Sequence, residues 1–260
     1  MIMKFKILSA DLLQTYKSGI DLSKLTTAFE SLTEAEISTD TFSFYTSVAS
    51  VFSGKIEGEE IELDSYIKHK KMGVKFKPDY TKKIDDLYNA YTFAKTNKLN
   101  EKNLTHAHKL LSKHIVDKRQ QGEIRTQIMY VLTDDGRIEY VAAAPQEVMT
   151  EMEKLYADIK LLLSAELALD EVFYYAAYIH LVFVKIHPFI DGNGRTARLL
   201  EKWFIAEKSG EKAWFVQSEK NYYLHHQNYY INLRALGLEY PELDYSKALP
   251  LLSMTAKLLV

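Results

Sequence analysis

The chain contains no cysteine. A disulfide framework, a thiol nucleophile and a cysteine-held metal are all excluded, and with them the small secreted scaffolds that depend on such staples. Glycine and proline are scarce, 10 and 5 among 260 residues, and so few breakers favour long helices over a strand-and-turn architecture. No charge of one sign dominates, since 33 basic and 35 acidic residues leave a formal net charge of −2. That balance argues against a protein whose main work is non-specific binding to nucleic acid or to an anionic membrane. A long hydrophobic run is missing as well. The most apolar stretch, Val172 to Ile186, is too short to span a bilayer and holds His180 and Lys185, so it reads as a buried core helix. The N-terminal stretch has scattered lysines, no sustained apolar segment and no small-residue cleavage site, and does not read as a signal peptide. A cytoplasmic enzyme or binding protein is expected, of one or two domains.

What is present is mostly helical pattern. Residues 9–20, 24–35 and 40–53 repeat apolar residues at three-and-four spacing, with Asp40 as a predicted N-cap and Gly54 as a predicted stop. A polar, acidic stretch over 54–73 predicts a turn into a short helix. Helical pattern resumes over 82–99 and again from Leu104 to Arg119. The signal then changes. Residues 124–132 are rich in β-branched and aromatic residues, Thr133-Asp134-Asp135-Gly136 has turn chemistry, and Arg137 to Val141 can return, which predicts a β-hairpin. Pro145 should open a helix, Asp170 should cap the apolar one, and further helices are expected from about Asn193, over 219–236 and over 243–259. His106, His108 and His114 lie close in sequence, but i and i+2 do not share a helix face, so a metal site there is not expected.

The run His187-Pro188-Phe189-Ile190-Asp191-Gly192-Asn193-Gly194-Arg195-Thr196-Ala197-Arg198 concentrates several chemistries. Gly192, Asn193 and Gly194 leave backbone with little side-chain bulk, able to turn its amides toward one point. The helical sequence behind them makes a helix N-terminus, a ready anion site. Arg195 and Arg198 are one turn apart and can both reach an oligophosphate held there. Asp191 is a hard oxygen ligand suited to Mg²⁺ on phosphates. His187 is the one group in the run that titrates near neutrality, hence the natural proton acceptor. Singly, these features are ordinarily a surface turn, a helix terminator and a solvated face. Together, behind the most hydrophobic helix, they point to nucleotide phosphate chemistry.

The run resembles, position for position, the H-P-F-x-D/E-G-N-G-R-x-x-R signature of the Fic family of nucleotidyl-transferring proteins. The family's helical core with a β-hairpin flap ahead of the motif would account for the isolated hairpin, and the resemblance covers roughly residues 85–236. It implies an all-α fold, a Fic-like helical bundle with one β-hairpin flap (124–141) and an N-terminal inhibitory helix. The implied division is an N-terminal segment 1–84, a Fic core 85–236 carrying the motif (187–198) and a C-terminal helical extension 237–260.

The implied reaction moves AMP from ATP to a Ser, Thr or Tyr hydroxyl of a target protein, with Mg²⁺ or Mn²⁺. His187 would take the hydroxyl proton and Asp191 would hold the metal. The amides of Gly192 to Gly194 and the Asn193 side chain would stabilise developing charge, while Arg195 and Arg198 would bind the β- and γ-phosphates. Tyr130, Val131, Leu132 and Thr133 resemble the strand that aligns the target by backbone pairing. Tyr229 and Tyr230 resemble a tyrosine pair near the adenine, although two core aromatics on a helix would look the same. Ala143-Ala144-Pro145 stands where a double proline is frequent, and Gly237 where some relatives have an asparagine, which leaves the adenine contacts open.

A second element, Ser53-Gly54-Lys55-Ile56-Glu57-Gly58, matches the family's S/T-x-x-x-E-G/N inhibitory motif. By that resemblance Glu57 would pair with Arg198 and occupy the cation the γ-phosphate needs, and Ser53 would bond Asn193. Otherwise Glu57 belongs to an acidic surface run with Glu59, Glu60 and Glu62. The implied protein is a self-inhibited adenylyltransferase. Its rivals are an enzyme that removes AMP with water positioned by Glu57, and a nucleotide-sensing interaction module with little turnover. No membrane and no nucleic-acid partner are expected, and a homo-oligomer is compatible with the composition.

Overall fold

The apolar segment becomes the centre of the fold. The computed structural model describes residues 3–32, 41–76, 78–132, 136 and 138–260. Asp40, Thr133, Asp134, Asp135 and Arg137, to which the sequence assigns a cap, a flap contact and turn positions, lie outside the described residues. The N-terminal part contains α1 (Leu13–Gly19), α2 (Leu22–Glu30), α3 (Thr41–Ile56), α4 (Leu63–Met72), α5 (Pro78–Thr96) and α6 (Glu101–Leu111). A hairpin of β1 (Tyr130–Leu132) and β2 (Ile138–Val141) follows. The rest is α7 (Val148–Ser164), α8 (Leu169–Ile186), α9 (Asn193–Ser209), α10 (Ser218–Leu224), α11 (His226–Arg234), α12 (Leu249–Leu252) and α13 (Met254–Lys257).

The predicted mostly helical architecture with one small antiparallel hairpin is the observed one. Helix α8 is apolar on every side and accordingly buried on every side, with α9 along it and α1, α2, α7, α12 and α13 around it. Helices α3, α5 and α10 form a further layer next to α9, and one continuous hydrophobic core joins both layers. Beneath the surface a polar network ties α8, α9, α10, α11 and α13 together. Glu201 accepts from Tyr222 and from Thr255 and pairs with His180 at 2.6 Å, while His180 Nε2 meets the Tyr229 hydroxyl at 2.9 Å. The N-terminal segment is fastened by Asp158 on α7, whose carboxylate accepts the amides of Lys6, Ile7 and Leu8.

Several predicted boundaries move, each for a local reason. Gly54 does not stop α3, which runs on to Ile56. A β-carbon at Gly54 would stand 2.3 Å from Ile84 Cδ1, so glycine serves the close approach of α5 instead. Helix α6 ends at Leu111, not Arg119, because Asp86 takes the His114 amide at 3.0 Å away from the helical ladder. Residues 124–129 are not strand, since Arg125 donates its amide to Pro188 O at 2.9 Å and not to a strand partner. Residues 145–147 form a turn, and α7 starts at Val148. The N-cap of α8 is Ala168, not Asp170, and Glu171 accepts the Ala168 amide at 2.9 Å. The stretch 219–236 splits at His225, and 243–259 breaks into short turns of helix. No described helix is long and apolar enough to cross a membrane.

Candidate active site

Helix α8 ends on a strained residue. His187 caps it at φ 55° and ψ 60°, the one non-glycine residue with positive φ among the described residues. A side chain in the left-handed region costs roughly 1–2 kcal/mol, so neighbouring groups must hold it. Arg125 does so. Its Nε donates to His187 O at 2.6 Å, Nη2 to Ile186 O at 3.1 Å and to Ala143 O at 2.6 Å, and Nη1 to Gln127 O at 2.6 Å. Only 2% exposed, this guanidinium rests its charge on the carbonyl end of α8, where the helix dipole is negative.

The imidazole is oriented from behind. Nδ1 lies 3.1 Å from Val184 O and 3.1 Å from the Tyr140 hydroxyl, which itself donates to Val184 O at 3.0 Å. A carbonyl can only accept, so the network assigns the ring proton to Nδ1 and leaves a lone pair on Nε2. Burial pushes His187 down to about 4; Arg125 and Lys185 add to this, while the Val184 carbonyl and Glu57 oppose it. The ring is therefore neutral at pH 7 and able to receive a proton.

After Phe189 the chain closes on itself. Asn193 Oδ1 accepts the Phe189 amide at 2.9 Å and Nδ2 donates to Phe189 O at 2.8 Å. This corrects two expectations: the Asn193 side chain shapes the loop instead of facing phosphate, and it is not the partner of Ser53. Gly192 sits at φ 81°, and a β-carbon there would stand 3.1 Å from Leu111 Cδ1. Its amide donates to Asp191 Oδ1 at 2.5 Å, so the amides at the start of α9 without an i−4 carbonyl in the helix are those of Asn193, Gly194 and Arg195. The anion site is shifted one residue from the expected one.

The cations fit an oligophosphate. Arg195 is 5% exposed with a buried Nη1 that has no hydrogen-bond partner among the described residues, a costly arrangement unless an anion completes it. Asp191 is exposed, and its Oδ2 has no hydrogen-bond partner among the described residues. No group of three His, Asp or Glu that could hold a metal exists among the described residues. A single carboxylate beside a phosphate cradle suits Mg²⁺, which keeps waters and takes its other ligands from substrate phosphates. The residues present fit both groups.

An anion from the chain itself already rests at this helix terminus. Helix α3 ends in a Schellman arrangement: Gly58 takes the left-handed φ of 83°, its amide donates to Lys55 O at 3.1 Å and the Glu59 amide donates to Gly54 O at 3.1 Å. That cap aims two carboxylates inward. Glu57 Oε1 accepts from Arg198 Nη2 at 2.6 Å, while Arg198 Nε donates to the Ser53 hydroxyl at 2.9 Å and Nη2 to Ser53 O at 3.1 Å. Ser53 thus binds Arg198, not Asn193. A β-carbon on Gly194 would meet Glu57 Oε1 at 2.6 Å, so the carboxylate lies directly over the loop backbone. Burial alone would push the Glu57 carboxyl up; Arg198, with Arg195 and His187 behind it, more than offsets this, and the net shift is down. Glu59 bridges Lys83 at 2.7 Å and Arg195 at 3.7 Å. The acidic run is therefore divided, with Glu60 and Glu62 exposed and Glu57 and Glu59 turned to the arginines.

The flap lies beside this centre. Tyr130 pairs with Val141, Val131 with Tyr140 and Leu132 with Ile138, with an irregularity after Val131. Among the described residues β1 has no partner on its outer edge, and Tyr130 and Leu132 are exposed there. The inner strand is anchored: Val141 donates to Leu238 O at 2.8 Å, and Glu139 receives both Nε and Nη2 of Arg234. Tyr229 is 2% exposed with its hydroxyl committed to His180, while Tyr230 packs edge-on against it and is half-buried.

Sequence reasoning missed Arg125, Tyr140, Lys185, His108 and Glu59. Histidine 108 stacks on Phe189 at 3.6 Å, accepts the Gly122 amide at Nδ1 and donates from Nε2 to Asp191 O at 2.9 Å. Burial pushes it down to about 4, so it acts as a neutral strut under the loop. No local pattern marks these residues, since each meets its partner only through the fold.

Residues 98–205 match the model of the Fic/DOC family. The protein adenylyltransferases Fic of Drosophila persimilis and Drosophila yakuba are 43% identical over 51 residues, which is 20% of this chain and 10% of those relatives. The matched stretch thus spans about a tenth of their length. Among solved structures, a Fic family protein from Desulfovibrio desulfuricans superposes with TM-score 0.77 at 18% identity, covering 99% of this chain and 74% of that one. A Fic domain-containing signaling protein from Bacteroides thetaiotaomicron gives 0.67 at 18% identity, covering 92% and 93%. Fic-1 from C. elegans gives 0.67 at 17% identity, covering 95% and 70%. The fold is the Fic fold.

Proposed function

We propose, from a Fic fold whose residues 98–205 match the Fic/DOC family, that this protein is a self-inhibited, Mg²⁺-dependent protein adenylyltransferase acting on a Ser, Thr or Tyr hydroxyl of a target protein. The target oxygen attacks the α-phosphorus of ATP and its proton passes to His187 Nε2. The bond from that phosphorus to the bridging oxygen breaks, and pyrophosphate leaves. Arg195 and Arg198 hold the β- and γ-phosphates, and the amides of Asn193 to Arg195 face the charge at the helix start. Mg²⁺ held by Asp191 would neutralise phosphate charge. The open edge of β1, Tyr130 to Leu132, aligns an extended target segment, and Tyr230 offers a ring face beside the nucleotide.

The observation that supports this reading most is the seat of Glu57: a carboxylate 2.6 Å from Arg198, over the backbone where a phosphate would lie. While it stays, the γ-phosphate has no free guanidinium at 198 and ATP is held in a pose unsuited to attack. The test is incubation of lysate with [α-³²P]ATP and the Glu57→Gly variant, with chelator as control. Label transferred only with divalent metal, and more strongly than by the parent, is expected; no labelled protein in any arm would overturn the reading.

A second reading shares the site. Glu57 Oε2 has no hydrogen-bond partner among the described residues, so it can orient a water for removal of AMP from a modified hydroxyl. A pre-modified target that loses AMP with the parent but not with Glu57→Gly would favour that direction.

A further inference from the structure

Lys185 is a buried cation without an ion-pair partner among the described residues. It is 0% exposed, and its Nζ makes no hydrogen bond to any of them. The nearby carboxylate, Glu139, is already committed to Arg234 through two bonds of 2.6 and 2.7 Å. What the ammonium does touch is a ring: Nζ stands 4.0 Å from the centroid of Tyr140, itself 2% exposed. A desolvated ammonium on a phenol face is held by the ring quadrupole. The other end of that phenol contacts His187 Nδ1 and Val184 O.

We propose that Lys185 and Tyr140 are a positioning pair for His187: the ammonium clamps the Tyr140 ring, and the Tyr140 hydroxyl, donating to Val184 O, accepts from Nδ1 beside that carbonyl and holds the imidazole in place. This rests on the reading of His187 as the base. The charged and titratable groups facing the imidazole are Lys185 on α8, Tyr140 on β2, Arg125 before the flap and Glu57 at the end of α3. Glu57 alone among them carries negative charge. A base that must stay neutral until a hydroxyl arrives gains from cations behind it, because like charge disfavours its protonated form. Burial pushes Lys185 itself down to about 8, with Glu139 opposing, so it remains charged through the range in which His187 would otherwise protonate. Placement in the last turn of α8 lets the helix dipole offset part of the desolvation.

The test uses the full chain without nucleotide, in which ¹⁵N NMR reports the tautomer and midpoint of His187 independently of any transfer. Lys185→Met keeps the length and removes the charge, and buried ion-to-apolar changes are often neutral or stabilising. It should raise the His187 midpoint by roughly half a unit to one unit, and Lys185→Arg should restore it. Tyr140→Phe leaves Val184 O as the remaining acceptor at Nδ1 and should measurably lower the Nδ1–H fraction. In the Glu57→Gly background, both Lys185→Met and Tyr140→Phe should lower kcat for label transfer by roughly three- to tenfold with KM for ATP within twofold. An unmoved midpoint in Lys185→Met, or an unchanged tautomer in Tyr140→Phe, overturns the pair. If the NMR changes appear while no protein, parent included, transfers label, the positioning stands and the adenylyltransferase reading fails.

Discussion

Glu57 and Arg198, 141 residues apart in the chain, meet at 2.6 Å above the first turn of α9. Under the proposed function the contact is a competition, because one guanidinium cannot serve a carboxylate and a γ-phosphate at once. Glu57→Gly should increase label transfer from [α-³²P]ATP by about tenfold or more, since about 1.4 kcal/mol of bias between two poses is sufficient. Arg198→Ala should not mimic the gain, because it also removes the phosphate partner. Equal rates for parent and Glu57→Gly across ATP concentrations would return Glu57 to a structural role.

Glu59 sits between Lys83 and Arg195 and draws on the second arginine. Glu59→Gln should tighten ATP binding several-fold, and its effect should add to that of Glu57→Gly, because each variant frees a different guanidinium. Nucleotide titration of the single and double variants measures this. A Glu59→Gln variant with parental affinity would show that Arg195 is already free enough to bind phosphate.

Removing the base should separate binding from chemistry. His187→Ala should reduce transfer by on the order of 10²–10⁴ while leaving ATP affinity within a few-fold. Single-turnover rates at saturating ATP provide the check, and a rate equal to the parent's would take His187 out of the mechanism.

The acid side of the pH profile follows from the same residue. His187 is pushed down to about 4 by burial, so the folded chain keeps a neutral base well below the ordinary histidine range. The acid limb of kcat should lie below pH 6, and lower still in Glu57→Gly, where the opposing carboxylate is gone. Stability has the matching sign. Between about 6.5 and about 4 the unfolded chain binds a proton at His187 that the folded chain refuses, so this contribution is present above that window and is lost as pH falls through it. A transfer profile with its acid midpoint at 6.5 would contradict the burial of the ring.

Much of the site was legible because it is contiguous. The residues from His187 to Arg198 fold as a helix end, a loop and a helix start, and their order in the chain is their order in space. Asp-Gly punctuation marked the hairpin in the same way, although the strand shrank to Tyr130–Leu132 once Arg125 took a different partner. Ser53 was assigned to the wrong residue because Asn193 spends both amide atoms on Phe189, a local closure invisible in a list of residue types. Glu59 looked like surface charge until the Schellman turn at Gly58 set its direction. Arg125, Tyr140 and Lys185 act through backbone carbonyls and a ring face, partners that any sequence supplies everywhere and therefore nowhere in particular.

A residue that must carry an imidazole cannot also be glycine, although glycine is what the backbone at position 187 favours. His187→Gly should melt above His187→Ala, because only glycine relieves the roughly 1–2 kcal/mol of left-handed strain, and thermal unfolding of the two can be compared directly. Under the proposed function, the chain carries this backbone strain for the sake of the ring.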